Sequence, residues 1–278
     1  MKKIVIIMAC RNEEKHIKLV LSSVVNQSIT PTQVIIVDDA SSDSTYRIIK
    51  QFSKINKNWS IFQRNKNDER YNSIVNTMKK SSEMIKNEFD FLMVLDGDTI
   101  LEEKYIEKIL DEFELNLKLG IAGGILLSLN SNEQFQKLDD ETVFGSNRIY
   151  SKKCWNEINE GQILNVRSIA WDTEHSIKAK IRGYEVKRFE NVISKSIRPP
   201  SLNAPFYLRG ILKYQFGFGF FNILISGIFN LKPKFILGYI MAWLNKKPRI
   251  DNQNNMSKIK NLNNQIFFNK IKKLMGIN

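Results

Sequence analysis

Hydrophobic positions along the first 115 residues switch repeatedly between two spacings. "KIVIIMA" (3–9) is an apolar, β-branched run, the mark of a buried strand. Ile17, Val20, Leu21, Val24 and Val25 then recur at helical spacing. "QVIIVDD" (33–39) predicts a second strand, and Tyr46, Ile49 and Phe52 a helix after it. "WSIFQ" (59–63) predicts a third strand; Ile74, Val75, Met78 and Ile85 line a helical face. "FDFLMVL" (89–95) predicts the fourth strand, followed by a helix through Tyr105, Ile106, Ile109, Leu110 and Phe113. Such β-α-β-α alternation predicts an α/β fold on a mainly parallel sheet.

Beyond residue 115 the pattern loosens. "GIAGGILLSL" (120–129) reads as a strand and "LNSNEQFQKLDDET" as a polar loop. "SIAWDTEHSIKAKIRGYEVKRF" contains an Asp suited to cap a helix, and Gly183 is suited to stop one. Two apolar runs follow, "FGFGFFNILISGIF" (216–229) and "FILGYIMAWL" (235–244). Each is shorter than the roughly 20 residues a spanning helix needs. They fit a helix in the membrane interface, a re-entrant hairpin, or a helical pair packed on the main domain.

Charge sharpens that division. The chain has 278 residues and a net charge of +13. Residues 201–278 hold 12 Lys and Arg against one acid, Asp251, whereas residues 1–200 hold 30 against 28. The expected organisation is a catalytic domain over 1–200 and a basic, apolar helical tail over 201–278 that associates with a membrane. Two cysteines, Cys10 and Cys154, form no disulfide framework or zinc pattern. The basic start "MKK" leads into a run too short for a signal peptide, so a cytoplasmic location is expected.

The candidate chemistry collects at predicted strand ends, where open α/β sheets bind ligands. Asp96-Gly97-Asp98 closes the fourth strand. Its carboxylates suit Mg²⁺ or Mn²⁺, and such an ion offsets charge on a departing diphosphate. Alone, the triplet reads equally as a solvated turn. "MACRNEE" (8–14) follows the first strand and "IVDDASSDST" (36–45) spans the end of the second. Asp38 or Asp39 could accept from a base N–H or a ribose hydroxyl, while Ser41, Ser42 or Asp43 caps the next helix.

In this order and spacing, "IVIIMACRNEE", "VIIVDDASSDST" and "FLMVLDGDTI" resemble family 2 glycosyltransferases of the GT-A fold, over roughly residues 3–190. The resemblance implies a Rossmann-like, nucleotide-diphospho-sugar transferase sheet and inverting transfer of a sugar, of the hexosyltransferase type. It implies that Ala9, Arg11 and Glu13 lie by the nucleotide and that Asp38 and Asp39 hold base and ribose. Asp96 and Asp98 would form the DxD motif, with Asp98 the more direct metal ligand. Asp172 in "AWDTEHSIKAKIRGYEV" matches the general base, although Trp171 stands where the family usually has an acid; Glu174 is the reserve base. His175 reads as a surface or packing residue. Lys178 or Lys180 would steady the departing phosphate, and Gly145, Ser146 and Asn147 would border the sugar or acceptor. "LGYIMAWLNKKPRID" is similar to the end of membrane-associated members, which implies a UDP- or GDP-sugar donor, a lipid-linked or saccharide acceptor, and peripheral attachment to the cytoplasmic leaflet.

Rival readings explain less. A basic nucleic-acid- or membrane-binding protein without catalysis accounts for the tail, but acids along the sheet edge repel phosphates when no metal intervenes, so no nucleic-acid partner is expected. A sugar nucleotidyltransferase expects a glycine-rich phosphate loop after the first strand, and "ACRNEE" holds no glycine. "GFGFFN" lacks the third glycine of a dinucleotide fingerprint.

Overall fold

The computed structural model describes residues 2–65, 73–135, 142–162, 164, 170–198, 205–229, 231–250 and 253–274. The chain divides into two compact units: Met1–Asn165 with Arg182–Pro200, and Val166–Ile181 with Ser201–Asn278.

The first unit begins with the predicted alternation. It runs β1 (Ile4–Cys10), α1 (Ile17–Val25), β2 (Gln33–Asp38), α2 (Thr45–Ile55), β3 (Trp59–Gln63), α3 (Ser73–Glu83) and β4 (Phe91–Asp96). The next elements are β5 (Thr99–Leu101), α4 (Tyr105–Leu115), β6 (Leu119–Ser128), β7 (Asn147–Ser151) and α5 (Lys152–Ile158). In the second unit, α6 (Trp171–Ile181) precedes β8 (Glu185–Ser196) in sequence; β8 itself returns to the first unit.

Among the described residues one sheet of eight strands forms, in the order β3-β2-β1-β4-β7-β6-β8-β5. The first four strands are parallel, and β8 joins β6 in parallel. β7 enters antiparallel between β4 and β6, and β5 antiparallel beside β8. β4 and β5 are separated by Gly97 and Asp98 alone, yet three strands lie between them. Three peptide units reach about 11 Å, whereas four flat strand spacings span about 19 Å. The sheet must therefore curl, and Asp96-Gly97-Asp98 sits where the chain crosses the curl.

The core explains why β1 and β2 carry almost no polar residue. Ile4, Ile6 and Met8 pack with Val34 and Ile36 against Ile17, Val20, Leu21 and Val24 of α1. On the opposite face Val5, Ile7, Ile35 and Val37 are at most 1% exposed. A strand covered on both sides reads as continuous apolar sequence, and each such side chain contributes about 1.5–3 kcal/mol when buried. Tyr105 ties the distal half together: its hydroxyl donates to the Asn147 carbonyl at 2.6 Å and accepts from the Gly124 amide at 2.7 Å.

The second unit is helical among its described residues. With α6 it contains α7 (Phe206–Gln215), α8 (Phe220–Phe229), α9 (Pro233–Leu244) and α10 (Gln253–Leu274). The two apolar runs of the tail form α8 and α9. α7 and α9 meet backbone to backbone: a Cβ at Gly210 would fall 2.0 Å from the Phe235 carbonyl oxygen, and one at Gly238 1.9 Å from that of Tyr207. Ile177, Phe216, Ile250 and Ile259 form one small core, and Tyr214, Ile223, Tyr239 and Ala242 another. As expected, α6 stops beside Gly183, whose φ of +86° is the left-handed conformation of a helix C-terminus. No helix among the described residues is long and apolar enough to cross a membrane.

Candidate active site

The parallel register sets the site. Cys10 of β1 pairs with Asp38 of β2, and Ala9 pairs with Asp96 of β4. The carboxyl ends of three neighbouring strands therefore lie along one edge, and "MACRNEE", "VDDASSDST" and "LDGDT" all leave from it.

The first two loops are sewn together. Asn12 takes the turn with φ 54°, a conformation Asn tolerates better than most residues. Its amide donates to Ser41 Oγ at 2.9 Å, and its Oδ1 accepts from the Ser42 amide at 2.9 Å. The Glu13 amide donates to Thr45 Oγ1 at 2.7 Å, and the Thr45 hydroxyl donates on to Asp43 at 2.5 Å. Asp43 also accepts from the amides of Glu14 and Thr45, at 3.1 and 2.9 Å, so it serves the start of α2 as expected. Burial pushes its carboxyl up, but the hydroxyl and amide of Thr45 and the Glu14 amide outweigh that and hold it below the usual value.

Asp38 and Asp39 are satisfied by opposite means. Asp38, 1% exposed, accepts from the amide and hydroxyl of Ser41 and from Gln63 Nε2 at 3.1 Å. These donors are neutral. Asp39 instead meets Arg64 Nη1 at 2.7 Å and Arg11 Nη1 at 3.7 Å. Arg64 is steadied by Thr77 Oγ1 at 2.9 Å.

The third loop answers why two acids flank a glycine. A Cβ on Gly97 would fall 2.5 Å from Cys10 Cβ. The Gly97 amide donates to the Ala9 carbonyl at 3.0 Å, and the Asp96 amide to the Ser146 carbonyl at 3.1 Å. Only glycine lets β4's exit lie this close on β1, with an acid on either side. Asp98 meets Arg198, whose Nη2 and Nε lie 3.0 and 3.1 Å from Oδ2. Arg198 Nη2 also contacts Glu13 Oε1. Burial raises the Glu13 carboxyl above its usual value, and Arg198 offsets part of that rise.

Among the described residues no group of three or more His, Cys, Asp or Glu side chains forms a ready metal cage. Mg²⁺ and its like commonly take only one or two carboxylates and complete their shell with substrate phosphates and water. Arg198 engages a single oxygen of Asp98, Oδ2, and the half-buried Asp96 is two residues away. This donor set fits a divalent cation that arrives with a diphosphate.

The remaining candidates are carried by α6 and β7. Asp172 is in the first turn of α6, half-buried, with Oδ1 accepting from the Thr173 amide at 2.7 Å. Glu174 and Lys178 are 0% and 1% exposed and pair with each other at 2.9 Å. In this structure the reserve base and one of the two candidate lysines are thus engaged with each other, while Lys180 is half-buried. His175 packs edge-on against Trp171, ring centroids 5.9 Å apart, as a packing residue. Asn147 is corrected. It is 0% exposed and joins β7 to Ser194 Oγ of β8 at 2.7 Å, so it holds strands together rather than bordering an acceptor.

Three site residues escaped the sequence reading: Asn12, Arg64 and Arg198. Asn12 had a local signal, an Asn where a glycine-free loop must turn. Arg64 directly follows a predicted strand next to the one carrying Asp39. Arg198 had none.

An α/β sheet with acids gathered at the carboxyl edge of β1, β2 and β4 is an architecture that binds ligands outside its strand ends. Residues 5–175 match the family model for Glycosyl transferase family 2, and the chain belongs to that family. A poly-beta-1,6-N-acetyl-D-glucosamine synthase of Staphylococcus epidermidis is 30% identical over 118 residues, 42% of this chain and 27% of that protein. A synthase of the same name from Staphylococcus aureus (strain COL) is 29% identical over 121 residues, 44% of this chain and 28% of that one. The match thus spans little more than a quarter of these relatives' length. Among solved structures, S. aureus TarS superposes with a TM-score of 0.55 at 15% identity, covering 76% of this chain and 39% of that one. The mannosyltransferase PcManGT from Pyrobaculum calidifontis, solved with GDP-Man and Mn²⁺, gives 0.55 at 13% identity, covering 77% and 61%. These structures share the GT-A-like fold.

Proposed function

We propose that the protein is an inverting glycosyltransferase that moves a sugar from a UDP- or GDP-linked donor to a lipid-linked or saccharide acceptor. The observation that carries this reading is the alignment of Asp38, Asp39, Asp96 and Asp98 along one sheet edge in a family 2 chain. Fold relatives were solved with UDP-GlcNAc and with GDP-Man and Mn²⁺, which supports a nucleotide-sugar donor and a divalent cation.

Asp38 and Asp39 hold base and ribose in this reading, with Ala9, Arg11 and Glu13 beside the nucleotide. Asp98 and Asp96 hold Mg²⁺ or Mn²⁺, which when bound offsets charge on the leaving diphosphate. Asp172 takes the proton from the acceptor hydroxyl as the new bond forms on the face opposite the diphosphate. Asp172→Asn should retain nucleotide affinity and lose about 10³-fold in transfer, within the usual range for a general base. Near-normal turnover would place the base elsewhere.

The tail, 201–278, is read as a peripheral anchor beside the catalytic 1–200. Phe221, Trp243 and Leu244 are 75%, 61% and 59% exposed; Lys232, Lys246 and Lys247 flank α9, and Lys234 lies in its first turn. Apolar side chains rimmed by lysines suit the surface of an anionic cytoplasmic leaflet. The protein should sediment with phosphatidylglycerol vesicles and be released as salt rises. Absence of sedimentation would remove the anchor.

A further inference from the structure

Arg198 stands two residues past the end of β8. Its side chain is 57% exposed, so packing does not hold it in place. Charge does. One nitrogen, Nη2, touches both Glu13 Oε1 and Asp98 Oδ2, and Nε adds a second contact to the same Asp98 oxygen. The guanidinium thus bridges carboxylates from the exits of β1 and β4. Glu13 is only 6% exposed, and a carboxylate so far from water needs a positive partner.

A divalent cation on Asp98 seeks the same negative charge. Two cations at one carboxylate repel each other, so guanidinium and metal compete. A diphosphate reverses that balance. Its oxygens complete the metal's shell, and they offer a guanidinium a charge-assisted, forked partner in exchange for Asp98.

We infer that Arg198 is a built-in counter-cation that competes with divalent metal for Asp98 and moves onto the donor diphosphate when metal and nucleotide arrive together. Metal and nucleotide binding are thereby coupled, each strengthening the other by the same factor. The move onto the diphosphate rests on the donor reading above; the competition for Asp98 does not.

The test is Mn²⁺ titration followed by the electron paramagnetic resonance signal of the free ion. It uses the wild-type full chain, Arg198→Ala and Arg198→Gln, first without nucleotide and then with UDP or GDP. Without nucleotide, both variants should bind Mn²⁺ at least about tenfold more tightly than the wild type, the scale of one lost charge-assisted contact. With Mn²⁺ saturating, the order reverses for the nucleotide: both variants should bind it about tenfold more weakly. Unchanged or weaker Mn²⁺ affinity in both variants, or no Mn²⁺ binding by any of the three proteins, overturns the competition. Failure of the wild type to bind either nucleotide sinks the donor reading and the move onto the diphosphate. The nucleotide-free titration still decides the competition.

Discussion

The exits of β2 and β4 each present two aspartates, but the two ends are held in different ways. At β2, Asp38 is 1% exposed and held by Ser41 and Gln63, while Asp39 rests on Arg64, which Thr77 fixes in turn. Neighbouring loops brace this end through Asn12, Asp43 and Thr45. At β4, Asp98 leans on one half-exposed arginine from the far side of the sheet. A prebuilt hydrogen-bonding surface suits a base and a ribose, whose pattern of donors and acceptors does not change. In the proposed function, an exchangeable ion pair suits a diphosphate and its cation. On that reading, rigidity and exchange are placed on β2 and β4, the two strands that flank β1.

The largest effect should come from breaking the exchangeable end. Asp98→Ala should lower metal-dependent nucleotide affinity by about 100-fold, equivalent to about 2.7 kcal/mol, with metal-independent affinity little changed in the same calorimetric titration. Equal losses with and without metal would mean that Asp98 shapes the loop instead. Gly97→Ala should destabilise the fold by about 1–3 kcal/mol, because the new methyl overlaps Cys10 Cβ and the β4 exit must shift. Urea unfolding measures this, and an unchanged midpoint would show that the close approach to β1 is not needed. The smallest effect belongs to the braced end. Asp43→Asn should cost less than about 1 kcal/mol at pH 7, because the amide keeps an acceptor oxygen for Thr45 and Glu14 and loses only the charge that strengthens those bonds. Because the Asp43 carboxyl sits below its usual 3.8, its contribution is present above that value and fades as pH falls through the lower folded value. The two proteins should therefore converge in melting temperature at acid pH; a gap independent of pH would mean the carboxylate's charge plays no part.

The contrast also explains what could be read from residue order alone. β1, β2 and β4 are apolar runs, and β2 and β4 end in acids, so strands and crossovers were legible from period and polarity. At the Asp38-Asp39 end only Ser41, three residues from Asp38, is a sequence neighbour; Gln63 and Arg64 come from the end of β3, 25 residues away. The distal sheet was harder. β5 has three residues, and β7 carries Asn147 and Arg148 inward, both at most 1% exposed. β8 mixes Glu185, Lys187, Arg188 and Glu190 among its apolar positions. None of these shows a clean strand period. Arg198 lay out of reach altogether: it is 185 residues from Glu13 and 100 from Asp98, and only the curl of the sheet unites them.

The most direct test of the account is a calorimetric titration of the wild-type chain with UDP and with GDP, each with and without Mn²⁺. One of the two nucleotides should bind, at least about tenfold more tightly when Mn²⁺ is present. Binding of neither, or binding indifferent to the metal, would contradict the assignment of Asp96 and Asp98 to a cation that carries the donor's diphosphate.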